Sequence, residues 1–177
     1  MTDPVFNTAP ELSPSQIAKF AGVSPDTLRD WRHRGYIDGL GTLQENGRWK
    51  YDWLDALILF VYSEVSKCGL DISSVREWAD PIAKHVTFRK LNQLGYAPQM
   101  ERYFRFSKHA EFRTRHPSNP QDRWVGQPFE NIETVSPKVP AIIVVDCEDL
   151  ANRLPEAFDE VFRLLHEDLL REQREQG

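Results

Sequence analysis

Two Ser-Pro pairs eleven residues apart, Ser13-Pro14 and Ser24-Pro25, constrain this chain more than any other feature. A serine hydroxyl accepts a hydrogen bond from the free amides of a helix's first turn, and proline at the first helical position sacrifices only an amide that has no helical partner. The first pair opens the helix LSPSQIAKFAG, where Gln16 completes a capping box and Leu12 and Ile17 have the spacing of a hydrophobic staple. Ile17, Ala18 and Ala21 share its inner face, and Gly22 falls where a helix end takes the left-handed conformation. The second pair opens VSPDTLRDWRHRGYI, with Val23 at the corner and Leu28 and Trp31 facing inward. Two short helices around a tight glycine turn form a helix-turn-helix pattern, which a generic helical hairpin also satisfies.

GTLQENGRWKY follows as a β-hairpin. Asn46-Gly47 suits a two-residue type I′ turn, and Arg48, Trp49, Lys50 and Tyr51 alternate across the second strand. A hairpin directly after a helix-turn-helix has the position of a wing, and Arg48 and Lys50 on one face can hold phosphates beside a groove. A surface hairpin with incidental cations gives the same pattern. DWLDALILFVYSEVSKCG is then a helix capped by Asp52, with Leu54, Leu57, Ile58, Val61 and Val65 as its apolar stripe and Gly69 at its end. ISSVREWAD is a further short helix that turns Ile72, Val75 and Trp78 inward and breaks or kinks at Asp80-Pro81.

Taken in order, the strings SPSQIAKFAGVSPDTLRDWRHRGYI, NGRWKYDWLDAL and KCGLDISSVREW resemble the DNA-binding domain of the MerR family of transcription regulators. The family's Thr-Leu-Arg run corresponds to Thr27, Leu28 and Arg29. Its Gly-Tyr-Arg-any-Tyr wing corresponds to Gly47, Arg48, Trp49, Lys50 and Tyr51. Its aspartate in the next helix corresponds to Asp55, and its Gly-apolar-any-apolar step to Gly69, Leu70, Asp71 and Ile72. The resemblance implies a winged helix-turn-helix over residues 12–80 that binds double-stranded DNA. It departs at the wing, where Trp49 stands in place of the family's arginine and Arg48 in place of its tyrosine, moving the cation to the opposite strand face. Asp30 and Trp31 replace paired aromatics, and Asp30 is spaced to pair with Arg34 one turn on. The family's long dimer helix has no counterpart in this reading, because Pro81 interrupts and IAKHVTFRKLNQLGYAP provides only a short helix.

The second half is less patterned. ERYFRFSKHAEFRTRHP alternates aromatic and basic residues, as strands with a turn near Lys108-His109 would. That pattern suits nucleic-acid contact and a half-buried sheet with a cationic outer face alike. Residues 116–140 read as a loop, and Ala141–Val145 as a buried strand ending in Asp146, Glu148 and Asp149. LPEAFDEVFRLLHEDLLREQREQ is an amphipathic helix whose stripe of Leu154, Phe158, Val161, Phe162, Leu165 and Leu169 suits packing on the sheet or pairing with a second copy. Cys68 reads as a small core residue, and neither it, Cys147 nor the five histidines has metal-ligand spacing.

The expected fold class is therefore α+β, mainly α, with the winged domain followed by an α/β region over 81–177 that dimerises or meets a partner or effector. No apolar run is long enough for a membrane span, and MTDPVFNTAPEL lacks a secretory pattern, so a cytoplasmic protein is expected. The net charge of −5 divides into −4 over residues 1–83, +6 over 84–123 and −7 over 124–177. Such asymmetry suits a basic face and an acidic tail. The expected function is a sequence-specific DNA-binding transcription regulator, homodimeric and not an enzyme, with no cofactor or metal and with RNA polymerase as a candidate partner. Thr27, Arg29 and Arg32 would read the groove. Ser24, Arg48, Lys50 and Tyr51 would complete the DNA contacts. Two other readings stand beside it: a phage-type packaging or excision protein built on the same domain, and a metal-dependent nuclease using Asp146 and Glu148.

Overall fold

The computed structural model describes residues 11–97, 101–106, 127–129 and 143–175. Over them the chain is mainly α-helical with a few short antiparallel strands. Contacts divide it into two compact units, residues 1–76 with 154–177 and residues 77–153. In this division the C-terminal helix belongs with the N-terminal elements.

In the first unit, α1 (Pro14–Ala21) carries its expected capping box, with the Ser13 amide donating to Gln16 Oε1 and the Gln16 amide to Ser13 Oγ. It ends on Gly22 at φ +66°, and Leu12 and Ile17 are both buried. Two residues after Gly22, Ser24 caps α2 (Pro25–His33), accepting from the Thr27 amide at 3.0 Å. Strands β1 (Thr42–Leu43) and β2 (Trp49–Lys50) follow, then α3 (Trp53–Lys67), capped by Asp52. Residues on every side of α3 are buried, including Leu59, Phe60 and Tyr62 outside the expected stripe. A helix apolar all round belongs at the centre of a core. The core closes on one side through Trp31 of α2 set edge-on to Tyr62, with ring centroids 6.2 Å apart. Helix α6 (Ala157–Glu175) closes another side: Phe158 meets Phe20 at 5.0 Å and Phe162 meets Trp53 at 6.4 Å, both edge-on. The α6 stripe is thus spent on α1 and α3, a use that neither sheet packing nor self-pairing anticipated.

The β1–β2 turn is not the expected two-residue type I′. Leu43 pairs with Trp49, and the Gln44 amide donates to the Arg48 carbonyl, leaving a three-residue loop of Glu45, Asn46 and Gly47. Among these only Gly47 has positive φ, whereas a type I′ turn would force Asn46 there too. Asn46 instead uses its side chain, accepting from the Arg48 amide at 3.0 Å.

Helix α4 (Ile72–Gln93) continues through Pro81, correcting the expected break there. Proline removes one helical hydrogen bond, and continued burial of Ala79, Ile82, Ala83 and Val86 offsets that loss. The boundary between the units falls inside this helix. In the second unit β3 (Tyr103–Phe106) is the middle strand between β4 (Gln127–Phe129) and β5 (Ile143–Asp146), all antiparallel. Part of the expected loop over 116–140 is therefore a strand, and Pro128 is tolerated because β4 is an edge. The remainder of that loop and the expected turn at Lys108-His109 lie outside the described residues. A short helix, α5 (Cys147–Asn152), leaves β5 directly with Asp146 as its cap. Cys68 is exposed after α3, not a core residue, and it is Cys147 that is buried. No described helix is long and apolar enough to cross a membrane.

Phe158 is fully buried, so Phe158→Ala should destabilise the unit that contains α1 and α3 by about 3–5 kcal/mol. Urea unfolding followed by tryptophan fluorescence measures this, and a change below 1 kcal/mol would contradict the packing of α6.

Candidate functional site

The outward face of α2 follows from its inward one. With Leu28 and Trp31 buried, Asp26, Arg29, Asp30 and His33 are left exposed. Arg29 pairs with Asp26 at 2.8 Å, with both side chains about four-fifths exposed. Arg34 pairs with Asp30 at 2.9 Å, as the spacing predicts, and this carboxylate holds the Arg34 guanidinium above its ordinary pKa. Such exposed pairs contribute little to stability and open easily. The face is a set of loosely neutralised charges. Ser24 is committed to capping, and its hydroxyl lies 2.8 Å from that of half-buried Thr27.

Arg32 departs from its expected role. Its guanidinium carbon lies 3.7 Å from the centroid of the Trp49 ring and 5.5 Å from that of Tyr51. Its Nη2 donates to the Leu40 carbonyl at 2.7 Å and lies 3.1 Å from the Tyr51 hydroxyl. Sequence spacing placed Arg32 on the exposed side of α2, but the structure turns it onto the hairpin. The reason is Trp49, whose indole offers a better surface to a half-buried guanidinium than water does. Tyr51 is also not outward-facing: only 4% exposed, it exchanges backbone hydrogen bonds with Leu12. Arg48 is exposed just before β2, and Lys50 is partly exposed with Glu11 3.7 Å away.

Two residues that sequence reasoning did not assign to the site support this arrangement. Gly41 has φ +74°, and a Cβ there would lie 2.8 Å from both the Lys50 carbonyl oxygen and the Tyr51 ring. Its amide donates to Asp55 Oδ2 at 3.0 Å, and that oxygen also accepts from the Asp52 amide. Asp55 therefore closes the α3 capping box and anchors the hairpin together. Burial pushes its carboxyl up to about 6, with the Asp52 charge adding to the rise and the two amides and Arg32 opposing it. The signals were the Gly just before the hairpin and the second aspartate in DWLD; their shared bond is invisible to spacing.

In the second unit, Arg102 forks onto Asp146, with Nη2–Oδ2 at 2.7 Å, and Arg89 meets Glu148 at 2.8 Å. Partial burial pushes the Asp146 carboxyl up, but Arg102 and the Glu148 and Asp149 amides outweigh it and hold the pKa below the ordinary value. The two carboxylates considered for metal binding are thus bound to arginines. Burial pushes the Cys147 thiol up to about 12, keeping it protonated. No protein-family model matches this chain, and no curated protein does.

Two substitutions at Asp55 separate its charge from its acceptor role. A folded carboxyl near 6 and an unfolded one near 3.8 mean that the folded state binds the extra proton between those values. Stability then falls as pH rises from about 4 to 6, on the order of 2 kcal/mol in all. Asp55→Asn keeps an acceptor without the charge. It should equal or exceed the parent in stability at pH 7.5 and match it at pH 4. Asp55→Ala orphans two amides and should be less stable throughout, by about 1–3 kcal/mol. Urea titrations across this range check both, and a parent whose stability rises from pH 4 to 6 relative to Asp55→Asn would contradict the assignment. Gly41→Ala should lose about 1–3 kcal/mol in the same assay, from positive φ and the contact with backbone.

Proposed function

We propose that the first unit contains a winged helix-turn-helix that binds double-stranded DNA in a sequence-specific way, and that the protein is a transcription regulator. α1 and α2 are the helix pair, α2 is the reading helix, and β1–β2 is the wing. The supporting observation is the Arg32–Trp49 contact, which stands the hairpin beside the open face of α2. Arg29 lies one turn before Arg32, and both Arg29 and the hairpin's Arg48 are exposed.

On this reading α2 enters a major groove and Arg29 leaves Asp26 for a base edge or phosphate, a small exchange given the exposure of that pair. Asp26 and Asp30 suit the amino group of cytosine, which a carboxylate accepts from. Arg48 and Lys50 hold the flanking backbone, and the resemblance to MerR regulators in the capping, recognition and wing strings supports the same assignment. Operators of such proteins mirror a two-fold dimer, so the active form is proposed to be a homodimer, in the cytoplasm.

Selection of genomic fragments retained by the protein supplies the duplex for the test. Arg29→Ala should weaken binding to it by about 1–3 kcal/mol and relax preference at one position if Arg29 contacts a base. Arg48→Ala should instead weaken all duplexes evenly and reduce the salt slope by about one. Retained fragments that share no sequence, with affinity unchanged in both variants, would refute the proposal.

A further inference from the structure

An arginine on a reading helix invites a role in DNA contact, yet the Arg32 guanidinium points inward. To reach DNA it would surrender hydrogen bonds to Leu40 and Tyr51 and its seat on Trp49. Its Nε is buried with no hydrogen-bond partner among the described residues, so that edge of the group is already shielded from water. A desolvated cation–π contact is worth more than the exposed Arg29–Asp26 pair, so Arg29 is released to a ligand first.

The hairpin needs an outside hold. Its ladder pairs only Thr42 with Lys50 and Leu43 with Trp49, and a hairpin this short is not stable alone. Two neighbouring groups are held from opposite sides by opposite charges. Arg32 donates to the Leu40 carbonyl, and Asp55 accepts from the Gly41 amide. There is no space at Gly41 for a side chain, since a Cβ would lie 2.8 Å from the Lys50 carbonyl oxygen and the Tyr51 ring.

We propose that Arg32 is a positioning residue: it fixes the β1–β2 hairpin against α2 and thereby sets where Arg48 meets the phosphate backbone, without touching DNA itself. The clamp stands on the contacts alone, while its consequence for DNA rests on the function proposed above. It predicts that Arg32 and Arg48 act as one unit, whereas Arg29 acts independently.

The test has one arm without DNA and one with it, both on the full chain. Hydrogen exchange of the Gly41 and Gln44 amides should be about tenfold faster in Arg32→Met and in Arg32→Lys, which keeps the charge but loses the planar fork. Core amides of Leu57 and Leu59 should stay protected, and Arg29→Met should change none of these. Trp49→Leu removes the seat while leaving α2 intact and should reproduce the exchange pattern. In the second arm, Arg48→Ala should reduce the salt slope by about one in the parent and by much less in the Arg32→Met background. Unchanged hairpin exchange in all three clamp variants, or fully additive losses from Arg32 and Arg48, would overturn the proposal. If the parent binds no duplex, the DNA reading fails while the exchange arm still decides the clamp.

Discussion

The stacking of Arg32 on Trp49 is the contact on which the surface of the first unit depends. Beside it, the hairpin and its lead-in are tied down by the Arg32 hydrogen bonds to Leu40 and Tyr51, the Gly41–Asp55 bond and the Leu12–Tyr51 bridge. With it, α2, the hairpin and the start of α3 share one charged junction in which Arg32 faces Asp55 across the residues that lead into β1. The junction carries a cost as well as a benefit, since burial raises the Asp55 pKa. It is retained because the same carboxylate satisfies two backbone amides that no other described group reaches.

Much of the local structure was legible in the sequence because its determinants are local. Ser13, Ser24 and Asp52 cap their helices as their spacing to the next amides requires. The Asp30–Arg34 pair forms at the expected turn, and β5 ends at the aspartate that follows its apolar run. What escaped depends on partners distant in sequence. Nothing near Pro81 reveals that burial on both sides carries α4 through it, and nothing in the stripe of α6 names Phe20 and Trp53 as its cover. The hairpin failed differently: Asn-Gly supports two turn geometries, and the Asn46 side-chain bond selected the longer loop.

The proposed DNA-facing residues divide along the same line. Arg29 and Arg48 are exposed, as spacing predicted, because exposure on α2 follows from which positions Leu28 and Trp31 occupy. Arg32 and Tyr51 turn inward around Trp49, a position read in the sequence as a displaced cation. Its larger consequence is that the aromatic ring receives an arginine from the helix. The net charge of −5 means that any attraction to DNA must come from the local face, and the segment with 8 cations and 12 acids is not itself basic. On the proposed reading, contacts through Arg29, Arg48 and Lys50 are few, so the affinity they would support is modest and its salt dependence shallow, with a slope of about −3 on logarithmic axes.

The most direct test of the DNA-binding account is a fluorescence-anisotropy titration of an end-labelled random-sequence duplex with the intact protein, repeated over a series of salt concentrations. The account predicts saturable binding at low salt, with Kd on the order of 10⁻⁴–10⁻⁶ M near physiological salt and an association constant that falls linearly with salt on logarithmic axes. An anisotropy that does not rise at low salt, or binding indifferent to salt, would contradict it.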